Sequence, residues 1–292
     1  MKIVITKSTL TGTHGHMYKT KKQIIEDLKL IDVVVELLDA RIPVSSHNPD
    51  INDIIKNKKK IVVLNKCDLS EDIENKKWLQ EYTTNNVQAV LVDSNTGKGI
   101  NEAISKIQYV MKDDLETHAK KGKVGRSIRV MILGIPNVGK SSFINRLTKK
   151  TSAKVGNKPG VTKQKQWVRL GNSIELLDTP GVLWPKLDNE NIALNLAFTG
   201  SIKDDILEKT ELAYELLKRF INDYSTNIME RYKIENIENY DIVSLMEAIG
   251  KKRGAISSGG KIDLEKVSNI ILEDFRSGKL GKITLEKVGG VK

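Results

Sequence analysis

The sequence contains a single cysteine, Cys67, which excludes an intramolecular disulfide and any metal site built from several cysteines. It also lacks the pattern of a secretory signal, because the N-terminus has no apolar stretch of about 7–15 residues before a small-residue cleavage site. No apolar run approaches the roughly 18 residues that a membrane-spanning helix needs. These absences predict a cytoplasmic protein that is neither secreted nor inserted into a membrane.

Acidic residues are missing from one long segment of the chain. Residues 117–173 contain no Asp or Glu but contain 14 Lys or Arg residues. The formal net charge of the whole chain is +11, whereas residues 201–292 contain 16 basic and 16 acidic residues and are neutral. Most basic runs in proteins are simply solvent-exposed surface. The absence of every acidic residue from this long segment, however, exceeds what solubility requires. The charge therefore favours a polyanionic partner, with nucleic acid as the leading candidate.

The rest of the composition is that of a globular protein. Hydrophobic residues make up 39% of the chain, which reaches the usual globular range once the glycines are added. At roughly 150 residues per domain, the length predicts two domains.

Short β-branched runs alternate with amphipathic helical patterns in the first part of the chain, which is typical of a parallel α/β sheet. The predicted strands are residues 31–38, 60–64, 87–92 and 128–133, followed by a hairpin of residues 164–170 and 173–177. The predicted helices are residues 51–56, 73–82, 100–111 and 140–148. Residues 118–125, rich in Lys and Gly, have the composition of a linker.

After about residue 205 the pattern changes to helices, and no strong strand appears. Helices are predicted over residues 206–221, 242–249 and 267–275. We therefore predict a mostly parallel α/β domain over residues 1–200 and a small all-helical domain over residues 201–292.

A phosphate-binding motif lies between a predicted strand and a predicted helix. Gly134-Ile-Pro-Asn-Val-Gly139-Lys140-Ser141 fits the P-loop pattern G-x-x-x-x-G-K-[ST]. Its glycines let backbone N–H groups surround phosphates at the positive end of a helix. Lys140 would reach the outer phosphates, and the Ser141 hydroxyl would bind Mg²⁺.

Two further segments complete the predicted phosphate and metal site. Asp178-Thr-Pro-Gly181 follows a predicted strand, so Asp178 could hold Mg²⁺ through water and the Gly181 N–H could contact a γ-phosphate. Thr162, in a basic loop, could place a hydroxyl on the metal. The candidate phosphate-binding residues are Asn137, Val138, Gly139, Lys140, Ser141, Ser142 and Gly181.

Asn65-Lys-Cys-Asp68 follows the second predicted strand and suits guanine. The Asp68 carboxylate can accept hydrogen bonds from N1–H and the 2-amino group of guanine, a donor pair that adenine lacks. Asn65 would serve the other edge of the base, and Lys66 would pack against the ring. Ser94 and Asn95, after the third strand, could offer backbone N–H groups to the base carbonyl.

The motifs NKCD, GIPNVGKSS and DTPG resemble those of the translation-factor branch of GTPases. Their order is unusual, because the guanine motif precedes the P-loop by about 70 residues. The chain therefore looks like a circularly permuted GTPase, which is feasible because domain termini often lie close together. Gly15-His16-Met17, Asp39-Ala-Arg-Ile-Pro43 with Asn48-Pro49, and residues 274–281 resemble the bacterial ribosome biogenesis GTPase A family over nearly the whole chain.

The resemblance implies a circularly permuted P-loop GTPase domain followed by a helical, RNA-contacting domain. It implies GTP and GDP as ligands, Mg²⁺ as cofactor, and GTP hydrolysis coupled to late assembly of the large ribosomal subunit. The expected partners are the precursor of that subunit and its rRNA. A monomer is the default oligomeric state.

Two residues bear on catalysis. Many GTPases have a glutamine after the glycine of DTPG that orients the attacking water, but this chain has Val182. An aliphatic side chain cannot orient water, so unaided hydrolysis should be slow. Besides Lys140, the resemblance singles out His16 as the candidate catalytic group near the γ-phosphate. Asn137 makes K⁺ a second candidate cofactor, because related GTPases use an asparagine there to hold K⁺ beside the phosphates.

The charge pattern also suggests where RNA binds. The acid-free segment includes the P-loop, so this face of the GTPase domain is expected to lie against rRNA, with Lys149, Lys150 and Lys154 as candidate contacts. The neutral helical domain has local basic spots at residues 251–253 with Lys261, and at Arg276 with Lys279.

Two alternatives stay open at this point. One is a GTP-controlled binding module whose main partner is a protein and whose turnover is incidental. The other is a P-loop kinase for a small molecule, which NKCD and the lack of an obvious base for an acceptor argue against.

Overall fold

A computed structural model describes residues 14–49, 51–55, 58–84, 86–122, 125–150, 167–171, 173–177, 189–202 and 208–290, with the backbone alone for residues 14–20 and 150. The chain divides into two compact units. We call them the sheet unit, which contains the described residues up to 177 and residues 286–290, and the helical unit, which contains residues 189–202 and 208–285.

The sheet unit is built on one mostly parallel sheet. Its strands are β1 (Val33–Asp39), β2 (Lys59–Asn65), β3 (Val87–Val92), β4 (Ile128–Leu133), β5 (Trp167–Leu170) and β6 (Ile174–Leu177). Their order is β3-β2-β1-β4-β6-β5, and every neighbouring pair is parallel except the β5–β6 hairpin. The predicted α/β fold and the predicted hairpin are confirmed.

The apolar composition of the central strands explains their place in the sheet. All of β1 is buried, as is all of β2 after its first residue. A strand covered on both faces reads as a continuous apolar run instead of an alternating one. One charged residue, Glu36, interrupts this run in β1, and it is buried beside the Lys60 ammonium with 2.7 Å between Oε2 and Nζ.

The helices of the sheet unit are α1 (His14–Asp27), α2 (Ile51–Ile55), α3 (Asp72–Tyr82), α4 (Ile100–Lys120) and α5 (Lys140–Lys150). Helix α4 continues nine residues beyond its predicted end at residue 111. Its buried residues stop at Met111, so the later turns have no apolar stripe to mark them. The predicted linker over residues 118–125 therefore begins inside α4.

The helical unit contains α6 (Glu190–Phe198), α7 (Lys209–Asp223), α8 (Ser225–Tyr232), α9 (Ile242–Arg253) and α10 (Leu264–Arg276). Its core includes Phe220 of α7 and Phe275 of α10, whose ring centroids lie 5.5 Å apart. Helix α6 buries Leu194, Ala197 and Phe198 in the same core. The unit therefore includes residues before 201, its predicted start, because a boundary at 201 would separate α6 from this core.

No helix in the described part of the chain is long and apolar enough to span a bilayer.

Candidate nucleotide-binding site

Four loops follow neighbouring strands at the carboxyl edge of the sheet. The register places Asp39 beside Asn65, and Asn65 beside Val92, at the ends of β1, β2 and β3. The loop after β4 contains the predicted P-loop. In open α/β sheets, ligands bind outside this edge of the strands. The sheet therefore brings the guanine motif and the phosphate motif together, although they are far apart in the chain.

The P-loop, residues 134–139, approaches its neighbours too closely for side chains at both of its glycines. A Cβ on Gly134 would lie 2.8 Å from the Leu37 carbonyl oxygen, and a Cβ on Gly139 would lie 2.4 Å from Asn65 Nδ2. Gly139 also has a φ of +99°, in the region that glycine adopts freely and other residues rarely do. Packing and backbone conformation therefore both require glycine at position 139.

Helix α5 begins at the end of the P-loop with Lys140, whose Nζ donates to the Gly134 carbonyl oxygen at 3.1 Å. Ser141 and Ser142 are exposed in the first turn. The first N–H groups of a helix have no acceptor within it, and the helix dipole adds positive potential there. This turn is therefore suited to an anion such as a phosphate.

The Asn65 side chain connects two loops. Its Nδ2 donates to the Val138 carbonyl oxygen at 2.8 Å, and its Oδ1 accepts from Ser94 Oγ at 2.7 Å and from Ser94 N at 3.3 Å. The oxygen is thus fully engaged by the protein. A contact of Asn65 with a base would have to use the second N–H of Nδ2, which could donate to the N7 or O6 acceptors of guanine. Asn65 therefore also holds the P-loop and the loop after β3 together, a role that its motif did not predict.

Lys66 joins the guanine motif to the P-loop and to β1. Its Nζ donates to the Asn137 carbonyl oxygen at 2.7 Å and to Asp39 Oδ2 at 3.0 Å. Both Lys66 and Asn137 have left-handed backbones, with φ of 59°, an uncommon conformation for residues other than glycine. The ammonium group thus fixes the P-loop backbone from the side of the guanine motif.

Asp39 is the buried anion at the centre of this arrangement. Its carboxylate accepts from Arg41 N at 3.1 Å, Nε at 3.0 Å and an Nη nitrogen at 2.8 Å, in addition to Lys66. Burial alone would raise the pKa of Asp39, but the Arg41 and Lys66 charges outweigh burial and hold this pKa well below its ordinary value. Asp39 is therefore a carboxylate at neutral pH.

Asp68 differs from Asp39 because one of its oxygens has no donor from the rest of the described chain. Its Oδ1 is buried and accepts no hydrogen bond from another described residue. Burial raises the pKa of the Asp68 carboxyl, and the nearby Asp93 carboxylate adds to the rise. A buried acceptor without a donor is costly, and a ligand with N–H groups would remove that cost.

The loop after β3 is ordered by two groups. Asp93 Oδ1 accepts from Asn95 N at 2.8 Å and from Thr96 N at 3.2 Å. Although burial raises the pKa of Asp93, its hydrogen bonds with Thr96 and Asn95 lower it below its ordinary value. Arg146 of α5 donates from Nε to the Ser94 carbonyl oxygen at 3.3 Å, and from an Nη nitrogen to the Asn95 carbonyl oxygen. The helix that follows the P-loop thus also holds the predicted base-contacting loop.

Several predicted site residues lie outside the described residues, namely Thr162, Asp178, Gly181 and Val182, and for His16 only the backbone is described, in the first turn of α1. No group of three or more His, Cys, Asp or Glu side chains in the described ranges could hold a metal on its own. The exposed Ser141 hydroxyl fits Mg²⁺, which binds oxygen ligands and is often held by few protein groups together with phosphates.

Sequence reasoning missed Asp39, Asp93 and Arg146 as site residues. The signal for the two acids was present, because each follows or ends a buried strand at the carboxyl edge of the sheet. Arg146 gave no such signal, since its partners lie about 50 residues earlier in the chain and only the folded structure brings them together.

Replacing Gly139 by alanine tests the close packing of the P-loop. We expect nucleotide affinity to fall at least about tenfold, because the added Cβ clashes with Asn65 and strains a left-handed backbone by ~1–3 kcal/mol. Gly122→Ala is the matched control, since Gly122 has a φ of +78° but nothing within 4 Å of the added Cβ. Titration with fluorescent GDP compares the two variants, and equal affinities would contradict the packing argument.

Comparisons with known proteins agree with this site. A family model described as 50S ribosome-binding GTPase matches residues 129–253. The fold is similar to that of GNP-bound YlqF from T. maritima, with a TM-score of 0.66, 26% identity, and coverage of 94% of this chain and 100% of that one. A GDP-bound YlqF structure gives a TM-score of 0.65 and 26% identity, covering 91% of this chain and 98% of that one.

Full-length relatives are similar over almost the entire chain. Ribosome biogenesis GTPase A from Bacillus cereus is 45% identical over 272 residues, which cover 93% of this chain and 92% of that protein. The protein of the same name from Thermotoga maritima is 30% identical, covering 94% of this chain and 92% of the relative. With such identity over more than nine-tenths of each relative, the chain belongs to the ribosome biogenesis GTPase A family, and the reaction it catalyses is GTP hydrolysis.

Proposed function

We propose that this GTPase is a nucleotide-controlled switch for late assembly of the large ribosomal subunit, and that it binds rRNA on the precursor particle. Family membership by itself identifies a GTP-hydrolysing protein of ribosome biogenesis. The observation that best supports a guanine-specific switch is the buried, unused acceptor Asp68 Oδ1 beside loops that are tied to the P-loop.

In this proposal the base lies between Asp68 and the loop after β3. The Asp68 carboxylate accepts from N1–H and the 2-amino group of guanine. Asn65 donates from Nδ2, and the Lys66 stem packs on the ring. The N–H groups of Ser94 and Asn95, predicted from the sequence to meet the base carbonyl, donate instead to Asn65 Oδ1 at 3.3 Å and to Asp93 Oδ1 at 2.8 Å. The protein partners of Asn65 and Lys66 hold both groups in place before the nucleotide arrives.

The phosphates lie at the start of α5. Lys140 reaches the outer phosphates, while the N–H groups of residues 137–142 and of Gly181 surround them. Mg²⁺ would be held by Ser141, Thr162 and, through water, Asp178, and it would neutralise charge on the phosphates. Asn137 is a candidate ligand of K⁺. Its backbone conformation is fixed by the hydrogen bond from Lys66 to its carbonyl oxygen.

Hydrolysis is slow in the isolated protein, because Val182 cannot orient water. The missing help comes from the ribosomal particle or from His16 when the particle is bound. The catalytic role of His16 is a hypothesis from the family resemblance. The residue lies in the first turn of α1, within the sheet unit.

Ion pairs within the sheet unit occupy part of the basic surface that we propose as the RNA contact. Three arginines of the acid-free segment are paired with acids from outside it, because Arg126 contacts Asp32 while Arg129 and Arg169 both contact Glu175. Lys120, Lys121 and Lys149 are exposed, and among the described residues none of them lies within 4 Å of a carboxylate oxygen. They are the proposed phosphate contacts of the sheet unit, together with Lys150 and with Lys154, which lies outside the described residues.

The helical unit contributes a second basic surface. Arg231 contacts Asp274 through two hydrogen bonds of 2.9 Å. Arg253 and Lys279 lie 4.0 and 3.9 Å from the same carboxylate. One buried carboxylate thus gathers three cations, which leaves a net positive cluster suited to phosphates.

Arg276 does not belong to this surface. Its guanidinium donates to the carbonyl oxygens of Phe198 at 3.0 Å and Ala197 at 2.9 Å, at the end of α6. It is therefore engaged within the helical unit, and of the pair predicted from the sequence, Lys279 is the better candidate for RNA contact.

GTP turnover with and without purified large ribosomal subunits tests the assembly role. We expect slow turnover alone and strong stimulation by the subunits in K⁺ buffer, because the Val182 side chain cannot orient the attacking water. His16→Ala should retain nucleotide affinity but lose the stimulation, and Na⁺ in place of K⁺ should lower turnover. Binding without stimulation would instead favour a GTP-controlled binding module, with a protein partner as the alternative.

Guanine recognition is tested by Asp68→Asn. GDP affinity should fall about a hundredfold or more, because each hydrogen bond to a charged acceptor contributes ~1.5–3 kcal/mol. Xanthosine diphosphate, whose base has a carbonyl in place of the 2-amino group, should bind the variant better than it binds the original protein. Asp113→Asn, on the exposed surface of α4, is the control. Unchanged GDP affinity in folded Asp68→Asn protein would refute the assignment.

The proposed RNA contact is tested by changing Lys149, Lys150 and Lys154 to glutamine. The slope of log affinity for precursor particles against log salt should become shallower by about 2–3, since each lost phosphate contact contributes roughly 0.7–0.9. The control replaces three exposed lysines elsewhere in the sheet unit, Lys22, Lys29 and Lys76. An unchanged slope would assign the contact to the helical unit.

A further inference from the structure

The chain returns to the sheet unit after the helical unit is complete. Leu285 is the last residue of the helical unit, and Glu286 belongs to the sheet unit. We call residues 286–290 the return segment. Glu286 is only 4% exposed. Such burial is unusual for a glutamate, which is rarely buried unless it is paired. A buried carboxylate needs hydrogen-bond donors or a counter-charge.

The donors for Glu286 come from the loop after β1. Its Oε2 accepts from Val44 N at 2.7 Å, and both oxygens accept from Ser45 N at 3.1 Å. Ser45 Oγ also donates to Oε1. The carboxylate therefore satisfies two consecutive backbone N–H groups and a hydroxyl, more than 240 residues earlier in the chain.

The return segment has a second attachment, to α3. Trp78 Nε1 donates to the Glu286 carbonyl oxygen at 2.7 Å, and Val288 N donates to Glu74 Oε2 at 3.1 Å. Val288 packs against the apolar cluster that includes Leu38 and Leu64. The two hydrogen bonds from this segment reach α3 and not the loop after β1. The Glu74 contact can therefore be removed without removing a hydrogen bond to that loop.

The loop after β1, residues 40–48, is also held by acids of β1 itself. Glu36 Oε1 accepts from Asn48 N at 3.0 Å. Ser46 Oγ accepts from Asp39 N at 3.0 Å, and the Asp39 carboxylate accepts from the Arg41 backbone at 3.1 Å. Three buried carboxylates thus hold one loop, and Glu286 is the one that does not come from β1.

A short series of contacts leads from Glu286 to the nucleotide site. Glu286 holds Ser45, the adjacent Ser46 bonds to Asp39, and Asp39 bonds to Lys66. Lys66 in turn donates to the carbonyl oxygen of Asn137 in the P-loop. Every step is a hydrogen bond or a covalent link, and the longest side chain in the series, Lys66, is 21% exposed.

We infer that Glu286 is a positioning residue for the guanine-nucleotide site, acting through the loop after β1 on Asp39 and Lys66. The inference rests on the proposed placement of the base beside Lys66 and Asp68. Removing the carboxylate leaves the N–H groups of Val44 and Ser45 without their buried acceptor. The loop then relaxes, and the Asp39–Lys66 contact loses the geometry that keeps the base in place.

The test compares Glu286→Ala with Glu74→Ala in the full-length protein. Glu286→Ala should release the fluorescent nucleotide mant-GDP about tenfold faster, the effect of ~1.4 kcal/mol. Glu74→Ala breaks the attachment of the same segment at Val288, so it should lower the thermal unfolding midpoint but change mant-GDP release less than twofold. Faster release from Glu286→Ala alone supports the positioning role.

Steady-state kinetics provide a readout that general destabilisation would not change in the same way. Glu286→Ala should raise KM for GTP with little change in kcat, because the inferred effect is on nucleotide binding through Lys66 and not on the attacking water. A loss of folded protein would lower the apparent kcat and leave KM unchanged. Ser45→Ala, which removes only the hydroxyl donor, should show a smaller change in the same direction and serves if Glu286→Ala fails to fold.

Asp68→Asn, measured in parallel, separates this inference from the proposed site. If Asp68→Asn loses GDP affinity but Glu286→Ala and Ser45→Ala release mant-GDP at the original rate, the positioning role of Glu286 is wrong and the site stands. If Asp68→Asn binds GDP normally, the proposed guanine site is wrong, and the inference that rests on it fails too. Equal acceleration by Glu286→Ala and Glu74→Ala would reduce Glu286 to a structural anchor.

Discussion

The ion pairs of Asp39 are the interaction on which the nucleotide edge of the sheet depends. A carboxylate that is 1% exposed must be compensated within the protein, because leaving it unpaired would be strongly destabilising. Its two cations belong to different segments, Arg41 to the loop after β1 and Lys66 to the guanine motif. The requirement to neutralise one buried charge therefore fixes two loops at once, and Lys66 extends the constraint to the P-loop through Asn137.

This arrangement also explains why the order of the motifs in the chain matters little. The partners of Asp39, Asn65 and Lys66 lie at neighbouring strand ends, and the parallel register of β1, β2 and β3 decides which ends are adjacent. The same edge forms whether the guanine motif comes before or after the P-loop. A circular permutation changes the connections between strands while it preserves these contacts, and it leaves the chain free to continue into α6 and the rest of the helical unit.

Much of the fold could be predicted because it rests on local patterns. The bounds of β3 and β4 agree with the predicted strands, and the P-loop lies between β4 and α5 as expected. Elements without an apolar stripe were harder to predict, as the last turns of α4 show. In the site, Asn65 and Lys66 could be identified by motif, but their bonds to Val138 and Asn137 could not. Contacts such as Arg146 with Ser94 join residues whose proximity no local pattern encodes.

The return segment has a consequence for how the protein is made. Residues 286–290 complete the surroundings of the loop after β1, but they follow the roughly 100 residues of the helical unit in the chain. At typical synthesis rates of about 5–20 residues per second, these residues are added some 5–20 seconds after the strands of the sheet. During that interval a nascent chain can pair its strands but lacks the Glu286 acceptor for Val44 and Ser45. The loop after β1 is therefore among the last parts of the sheet unit to reach its final structure, and the enzyme matures only after both units have been synthesised.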